Sequence, residues 1–437
     1  MKYLLANLLL LFAITSSAQY IVSGGTAPPY EYTDGLGGTG IEKIYLLNTF
    51  SGASISYTSD AAVVRFYKYT HSIDDKVLIP YSEISTSNSG NKTTYTITNL
   101  QDSRGYFAEI NGKANPVIWI IDYSQHLPVL NSIEPDRSAE IEDQCTSLKL
   151  LIEKSDDLHY YTTTGGKYSI IRKYVIEYPD LDRSNKEFTP MVEEIGPIDF
   201  GTYRTIDPPL TDTKFKISGD QFAKHFGLNI YKESTAYIAI ATKAFIVAEQ
   251  VSATAPSGIT TELGGSAPAE INFFGYANEP TAHFYTWFIY NTSDLQNPIV
   301  RYTDRNIRYT FNESGNYKVV LESVSRGSSC LTSTSVEFSI STSSLEIPPN
   351  YFSPDANSET AKVFRIGEYK SLIKFKCSIF NRWGNKIYEW TDPSKGWDGK
   401  YKGKYVNTGV YFWVIDALGS DNERYQKAGD VNVIRKK

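Results

Sequence analysis

The fold class predicted for this 437-residue chain is all-β: tandem immunoglobulin-like β-sandwich domains ending in a smaller β-sandwich. Three observations predict it. The chain holds 33 Tyr, 21 Phe and 6 Trp, residue types that suit a pleated, half-buried surface. Its apolar residues fall in short alternating runs rather than long helical periods. The runs are separated by Gly, Asn, Asp, Ser or Pro, the residues of tight turns, and 30 Gly and 19 Pro supply many of these breaks. Hydrophobic residues make up 41% of the chain, enough for real cores, which excludes general disorder. At roughly 100–200 residues per domain the length allows two to four domains.

The elements follow in order. Met1-Lys2-Tyr3, an apolar run from Leu4 to Ile14 and small residues at Ser16 and Ala18 read as a secretory signal, residues 1–18, cleaved after Ala18. That run is about half the ~20 residues a bilayer demands, so a membrane anchor is the weaker reading. A first domain is expected over 19–137, with strands at Ile44–Leu47, Ser54–Tyr57, Val63–Tyr69 and Val117–Ile121. A second, 138–252, carries Leu148–Ile152, Ile170–Tyr178 and Ala236–Ala241 as strands. It also carries one short helix from Ser218, its expected cap, to Phe226, ended by Gly227. A third, 253–343, opens with an Ala, Ser, Pro and Gly-rich linker and contains Phe284–Tyr290 and Tyr317–Leu321. Pro348-Pro349 mark the approach to a fourth, 344–437.

The net charge of −6 argues against nucleic acid as a partner, because neutralising phosphates requires a basic face. The charge is uneven. From Ser344 to Lys437 there are 16 Lys and Arg against 11 Asp and Glu, whereas the preceding 343 residues carry 27 against 38. A basic end on an acidic stalk suggests that the last domain meets something acidic.

The chain is poor in residue patterns that carry reactive chemistry. His71, His126, His159, His225 and His283 show no metal-ligand spacing, so no metal is expected. The glycine run Asp34–Gly40 lacks the strand-before, helix-after setting of a phosphate cradle, and no other cofactor pattern is present. Asp180–Ser184 starts like a calcium loop but lacks its glycine and closing glutamate. Cys145, Cys330 and Cys377 are expected as small buried apolar residues, with a Cys145–Cys330 bridge as the alternative. No catalytic residue is assigned. Arg65–Tyr69 and the Tyr160-Tyr161 pair are candidates for a sugar- or protein-binding face, with core filling as the commoner use of such tyrosines.

The most specific pattern lies at the C-terminus. Ile373, Phe375, Cys377 and Ile379 alternate with Lys374, Lys376 and Ser378, then run into Phe380-Asn381-Arg382-Trp383-Gly384. Gly396-Trp397-Asp398-Gly399 and Gly409-Val410-Tyr411 follow, and the chain closes on Val431-Asn432-Val433-Ile434-Arg435-Lys436-Lys437. A hairpin turn is expected at Asn385-Lys386, and Trp383, Trp397, Tyr411 and Trp413 are expected to supply most of a small core. This order resembles the gliding-motility-associated C-terminal domain family, the type B sorting domain of the type 9 secretion system in Bacteroidota. The resemblance covers roughly Ile347 to Lys437. One departure is the loop after Phe352-Ser353-Pro354-Asp355, where Ala356-Asn357-Ser358-Glu359-Thr360 replaces the family's Gly- and Asp-rich segment and puts any cation there in doubt. More weakly, Tyr285-Thr286-Trp287, Tyr309-Thr310-Phe311 and Gly315–Val319 with Cys330 resemble a PKD-like immunoglobulin-type domain.

The resemblance implies export across the outer membrane and partnership with the translocon and an outer-membrane barrel of the PorP/SprF type. The expected function is a non-enzymatic surface protein whose sorting-domain motif is Phe380, Asn381, Arg382, Trp383, Gly384, Trp397, Asp398, Gly399, Gly409 and Tyr411. The strand with Val431, Val433, Arg435, Lys436 and Lys437 would be read at its edge by a partner. The upstream domains would bind an extracellular protein or glycan. Alternatives are a component of the secretion or gliding apparatus, as PorA is, and a carbohydrate-binding module or enzyme.

Overall fold

The computed structural model describes residues 20–253, 263–327 and 329–435. The signal segment with its cleavage site, the stretch 254–262 of the expected linker, and Lys436 and Lys437 lie outside the described residues. The chain is almost entirely β, in four successive groups of sheets. No described helix is long and apolar enough to cross a membrane.

In the first group a four-stranded sheet faces a larger one across a core that includes Tyr20, Ile55, Tyr57, Phe66, Tyr106 and Ile120. The larger sheet has Val117–Asp122 at its centre, parallel to Ile41–Leu47. Every residue of Val117–Asp122 is buried, which accounts for its unbroken apolar run: a strand covered on both faces has no wet side to alternate with. Its second face is covered by parts of the next group, the hairpin Leu158–Tyr161 and Lys167–Ile170 and the helix Gln221–His225. Tyr69 and Tyr160 are buried in this second core and Phe66 in the first, so the aromatic binding face expected at Arg65–Tyr69 and Tyr160-Tyr161 is largely spent on packing.

The second group pairs a three-stranded sheet (Leu130–Pro135, Leu148–Lys154, Tyr203–Ile206) with a four-stranded one (Pro190–Ile198, Tyr174–Leu181, Lys216–Ser218, Tyr231–Glu233). Three expectations change here. The single strand expected from Ile170 to Tyr178 is broken at 171–173, because Arg172 turns inward to a buried ion pair with Asp220. The helix is capped by Asp220, not Ser218: the Asp220 carboxylate accepts from the amides of Phe222 and Ala223 at 3.1 and 2.9 Å. Ala236–Ala241 is not a strand and touches a ladder only through an isolated Thr213–Tyr237 bridge. Side chains take over much of its backbone bonding: the Ala239 amide donates to Asp212, and the Ala236 and Ala241 carbonyls accept from Arg137 and Asn278.

The third group holds Ala244–Ala253, Ala269–Ala277 and Asn306–Phe311 in one sheet, and Gly315–Ser325, Ala282–Asn291 and Leu331–Ile340 with two short strands in the other. Ala244–Ala253 precedes the boundary expected at 253 yet pairs along its length with Ala269–Ala277. Trp287 lies fully buried between the sheets and donates to the Asp304 carbonyl at 3.0 Å. Cys145 and Cys330 form a disulfide between the second and third groups, so the bridge, not two separate buried thiols, is what these residues make.

Contacts also tie the groups together. Between the first and second, Asp220 accepts from the Tyr123 hydroxyl at 2.5 Å and from Arg172. Arg172 donates on to the His126 carbonyl at 2.6 Å, and the His126 ring meets Asp102 at 2.8 Å. The hydrogen bond to Asp102 raises the His126 pKa despite partial burial. A raised imidazole value contributes stability that is complete below the ordinary ~6.5 and is lost as pH rises through the folded-state value. We expect the melting temperature of the first and second groups to fall by a few degrees from pH 6 to pH 8.5. His126→Gln should flatten that dependence, as read by scanning calorimetry at constant ionic strength.

Candidate functional site

The fourth group is a five-stranded sheet in the order Tyr351–Phe352, Arg424–Val433, Gly409–Gly419, Leu372–Phe380, Lys386–Trp390, joined by two small two-stranded pairings. One face is buried. Phe375, Cys377 and Ile379 meet Trp413, Ile415, Ala417, Val431 and Val433 there, under a lid of Phe352, Phe364, Ile366, Trp390 and Trp397. Burial pushes the Cys377 thiol up to about 12, which removes it as a nucleophile at neutral pH.

Most of the motif residues are engaged in building this fold. Trp397 is fully buried, donates to the Lys400 carbonyl at 2.8 Å and packs on Phe352 and Tyr411. Asp398 accepts from the Lys400 amide at 3.0 Å and closes the turn. Gly399 has φ +81°, and a Cβ there would press on Pro354, so no other residue fits without strain. Tyr411 donates to the Asn407 carbonyl at 3.0 Å, and Gly409, at φ +153°, begins its strand. Asn381 shapes the hairpin loop: its side-chain oxygen accepts from the amides of Trp383 and Asn385, each at 3.0 Å. Gly384 sits at φ +78° within that loop. The turn therefore spans Asn381–Asn385, and Lys386 already begins the next strand, a correction to the turn expected at Asn385-Lys386.

Two motif residues in the hairpin loop are left out of this work. Trp383, expected in the core, is instead 73% exposed at the hairpin tip, because the Asn381-centred turn projects it outward. Trp390, on the following strand, takes a core place instead. Arg382 is also exposed, with its guanidinium 4.9 Å from the Trp383 ring centre.

The open face of the sheet continues from this tip. Phe380 pairs across to Phe412, and Ser378 to Val414. Val410, Phe412 and Val414 are 46%, 45% and 44% exposed on the face where a one-sided antiparallel sheet ordinarily carries polar residues. Charges of both signs border this stripe: Asp430 stands across from Phe412 and Lys376 across from Asp416, while Lys386 pairs with Glu389 at 2.8 Å. The stripe was missed by reasoning from sequence, although Val410–Ile415 is apolar at every position. In so small a domain that pattern signals a strand with one apolar face left uncovered.

The C-terminal strand does not match the role expected of it. Val431 and Val433 are buried core residues. The strand edge beside Asn432 and Val433 is already occupied by Tyr351 and Phe352 in parallel pairing. Arg435 lies 3.6 Å from Asp355 and 5.0 Å from the Tyr405 ring centre. Asp355, the carboxylate surviving in the altered loop, thus faces an internal cation. Among the described residues no group of three or more His, Cys, Asp or Glu is placed to hold a metal ion.

Comparison with known proteins bears on two of the four groups. The family model described as the CHU_C type IX secretion signal domain matches residues 345–433, and a fibronectin type III domain model matches 137–235. No curated protein matches. Among solved structures, a tetra-tandem repeat from the extending region of a large adhesion protein shares 12% identity, covering 89% of this chain and 96% of that one at TM-score 0.22. The chicken CNTN1 FN1–FN3 domains share 12% identity over 71% of this chain and all of theirs, at TM-score 0.22. The N-terminal eight Ig domains of Down Syndrome Cell Adhesion Molecule share 7% over 96% of this chain and 49% of theirs, at TM-score 0.24. The chain thus carries a C-terminal type IX secretion signal domain behind a fibronectin type III or immunoglobulin-like domain, in an all-β architecture.

Proposed function

We propose that this chain is a non-enzymatic cargo of the type IX secretion system, delivered to the cell surface and held there by its C-terminal domain. Its partner would be an outer-membrane barrel of the PorP/SprF type, and the upstream sandwiches would project for adhesion or partner binding. One observation carries the reading. Seven of the ten motif residues are accounted for by folding, whereas Phe380 lies on the open face and Arg382 and Trp383 stand exposed at the end of its apolar stripe. An exposed Trp with a neighbouring Arg is the kind of anchor that dominates binding energy at protein interfaces.

The test separates folding from recognition. Trp383→Ala and Phe412→Asp each alter an exposed side chain, so thermal stability should shift by less than ~0.5 kcal/mol for the first and modestly for the second. Surface delivery, read by labelling intact cells, should fall at least tenfold, in line with the ~2 kcal/mol or more that a hot spot supplies. Unchanged delivery by both variants would exclude this face as the recognition surface.

A further inference from the structure

We propose that the chain carries tension between its two ends and that the Cys145–Cys330 disulfide is a bypass that keeps the middle of the chain out of the load. Cys145 caps the short helix Ile141–Gln144, between the first two strands of the second sandwich. Cys330 immediately precedes Leu331–Ile340, the last long strand of the third. The bridge joins them across a sequence separation of 185. Inside the loop lie every strand of the second sandwich except Leu130–Pro135 and every strand of the third except Leu331–Ile340.

The consequence for a pulled chain is topological. Force entering from the first group reaches Cys145, crosses the sulfur–sulfur bond and leaves through Cys330, so residues 146–329 experience no pull along the backbone. The two strands of these sandwiches that remain in the path are loaded along their own axes. They are already extended at ~3.3 Å per residue and have little length to give. Their hydrogen-bonded neighbours, Leu148–Lys154 and Gly315–Ser325, are unloaded.

The joints on either side of the bypass are arranged to match. The hairpin 158–170 and the helix Gln221–His225, both inside the loop, cover the large sheet of the first group and buttress it with elements that bear no load. Beyond Leu331–Ile340, Ser341 and Ser343 pass the chain to the last domain through hydroxyl contacts to Ser371 at 2.8 Å and Asp421 at 2.6 Å. A bridge within one sandwich would stabilise that sandwich alone. One placed across two of them removes both from the force path while leaving the chain ends free to transmit it.

The first experiment pulls the full mature chain, tethered at both ends, in optical tweezers. Without reductant, unfolding should stop roughly 610–660 Å short of the full contour length, the extension of the bypassed residues at ~3.3–3.6 Å each. Adding dithiothreitol should release that length. Extension to the full contour without reductant, or no added length with it, would overturn the bypass.

The role in tension rests on the proposed surface location, so a second experiment reads both. Cells carrying the Cys145→Ser, Cys330→Ser double variant should attach at rest as wild-type cells do but detach at lower shear. Wild-type cells treated briefly with a membrane-impermeant reductant should do the same, which covers a variant that folds poorly. Equal shear resistance with the chain present on the surface would overturn the tension role alone. Absence of the chain from the surface, read by labelling the same cells, would overturn the location on which it rests.

Discussion

Replacing Trp397 by Ala is expected to unfold the C-terminal domain and abolish surface delivery. The side chain is fully buried, and its ring packs against Phe352 and Tyr411. Its backbone exchanges both bonds with Phe364, at 2.8 and 2.9 Å, which ties together the two loop segments that cover the sheet. Truncating a buried Trp costs ~3–5 kcal/mol through lost burial and the cavity left behind. It would also leave the Lys400 carbonyl without the indole donor it now has. A domain of this size has only ~5–15 kcal/mol to lose, and the low end of that range would be exhausted. Urea titration followed by near-ultraviolet circular dichroism should show the midpoint of the last domain collapse. Trp383→Ala, the same substitution 14 residues earlier in the chain, should instead leave the domain folded but unread.

Asp220→Ala should produce the second large effect, at the junction of the first two groups. Asp220 is fully buried and serves three partners: Arg172, the Tyr123 hydroxyl and the first turn of its own helix. Removing it strands the buried guanidinium of Arg172, a loss of ~3–5 kcal/mol, and removes a cap usually worth ~1 kcal/mol. The helix and the hairpin 158–170 should then lift from the large sheet of the first group. Limited proteolysis should cut within 158–173, which the intact chain protects. Arg172→Met combined with Asp220→Leu should recover much of the loss, because no buried charge remains unpaired.

The extent to which this fold was legible in the sequence varies with how local the determining forces are. Strands with clean alternation or an unbroken apolar run, such as Ile41–Leu47, Val117–Asp122 and Leu372–Phe380, stood close to their expected limits. Ile170–Tyr178 did not, because Arg172 answers to a carboxylate 48 residues away and no local pattern records that. Ala236–Ala241 failed for a similar reason, its backbone being satisfied by the side chains of Asp212, Arg137 and Asn278 and by one isolated bridge rather than a ladder. The pairing of Cys145 with Cys330 is likewise invisible to spacing, since it depends on how two sandwiches stack.

In the candidate site the motif identified the domain but not the division of labour within it. Trp383 and Trp397 look alike in sequence. Only the loop geometry set by Asn381 separates the exposed one from the buried one. The C-terminal strand misled in the opposite sense: its terminal position suggested availability, but its alternating valines belong to the core and its edge at Asn432 and Val433 is taken by Tyr351–Phe352.

The central claim is that the C-terminal domain is what places this protein at the cell surface. Its most direct test is protease shaving of intact cells that express either the full chain or a chain ending at Ser343. The full chain is expected to be cleaved while the truncated one is retained inside, intact and protected. A truncated chain shaved as fast as the full-length protein would contradict it.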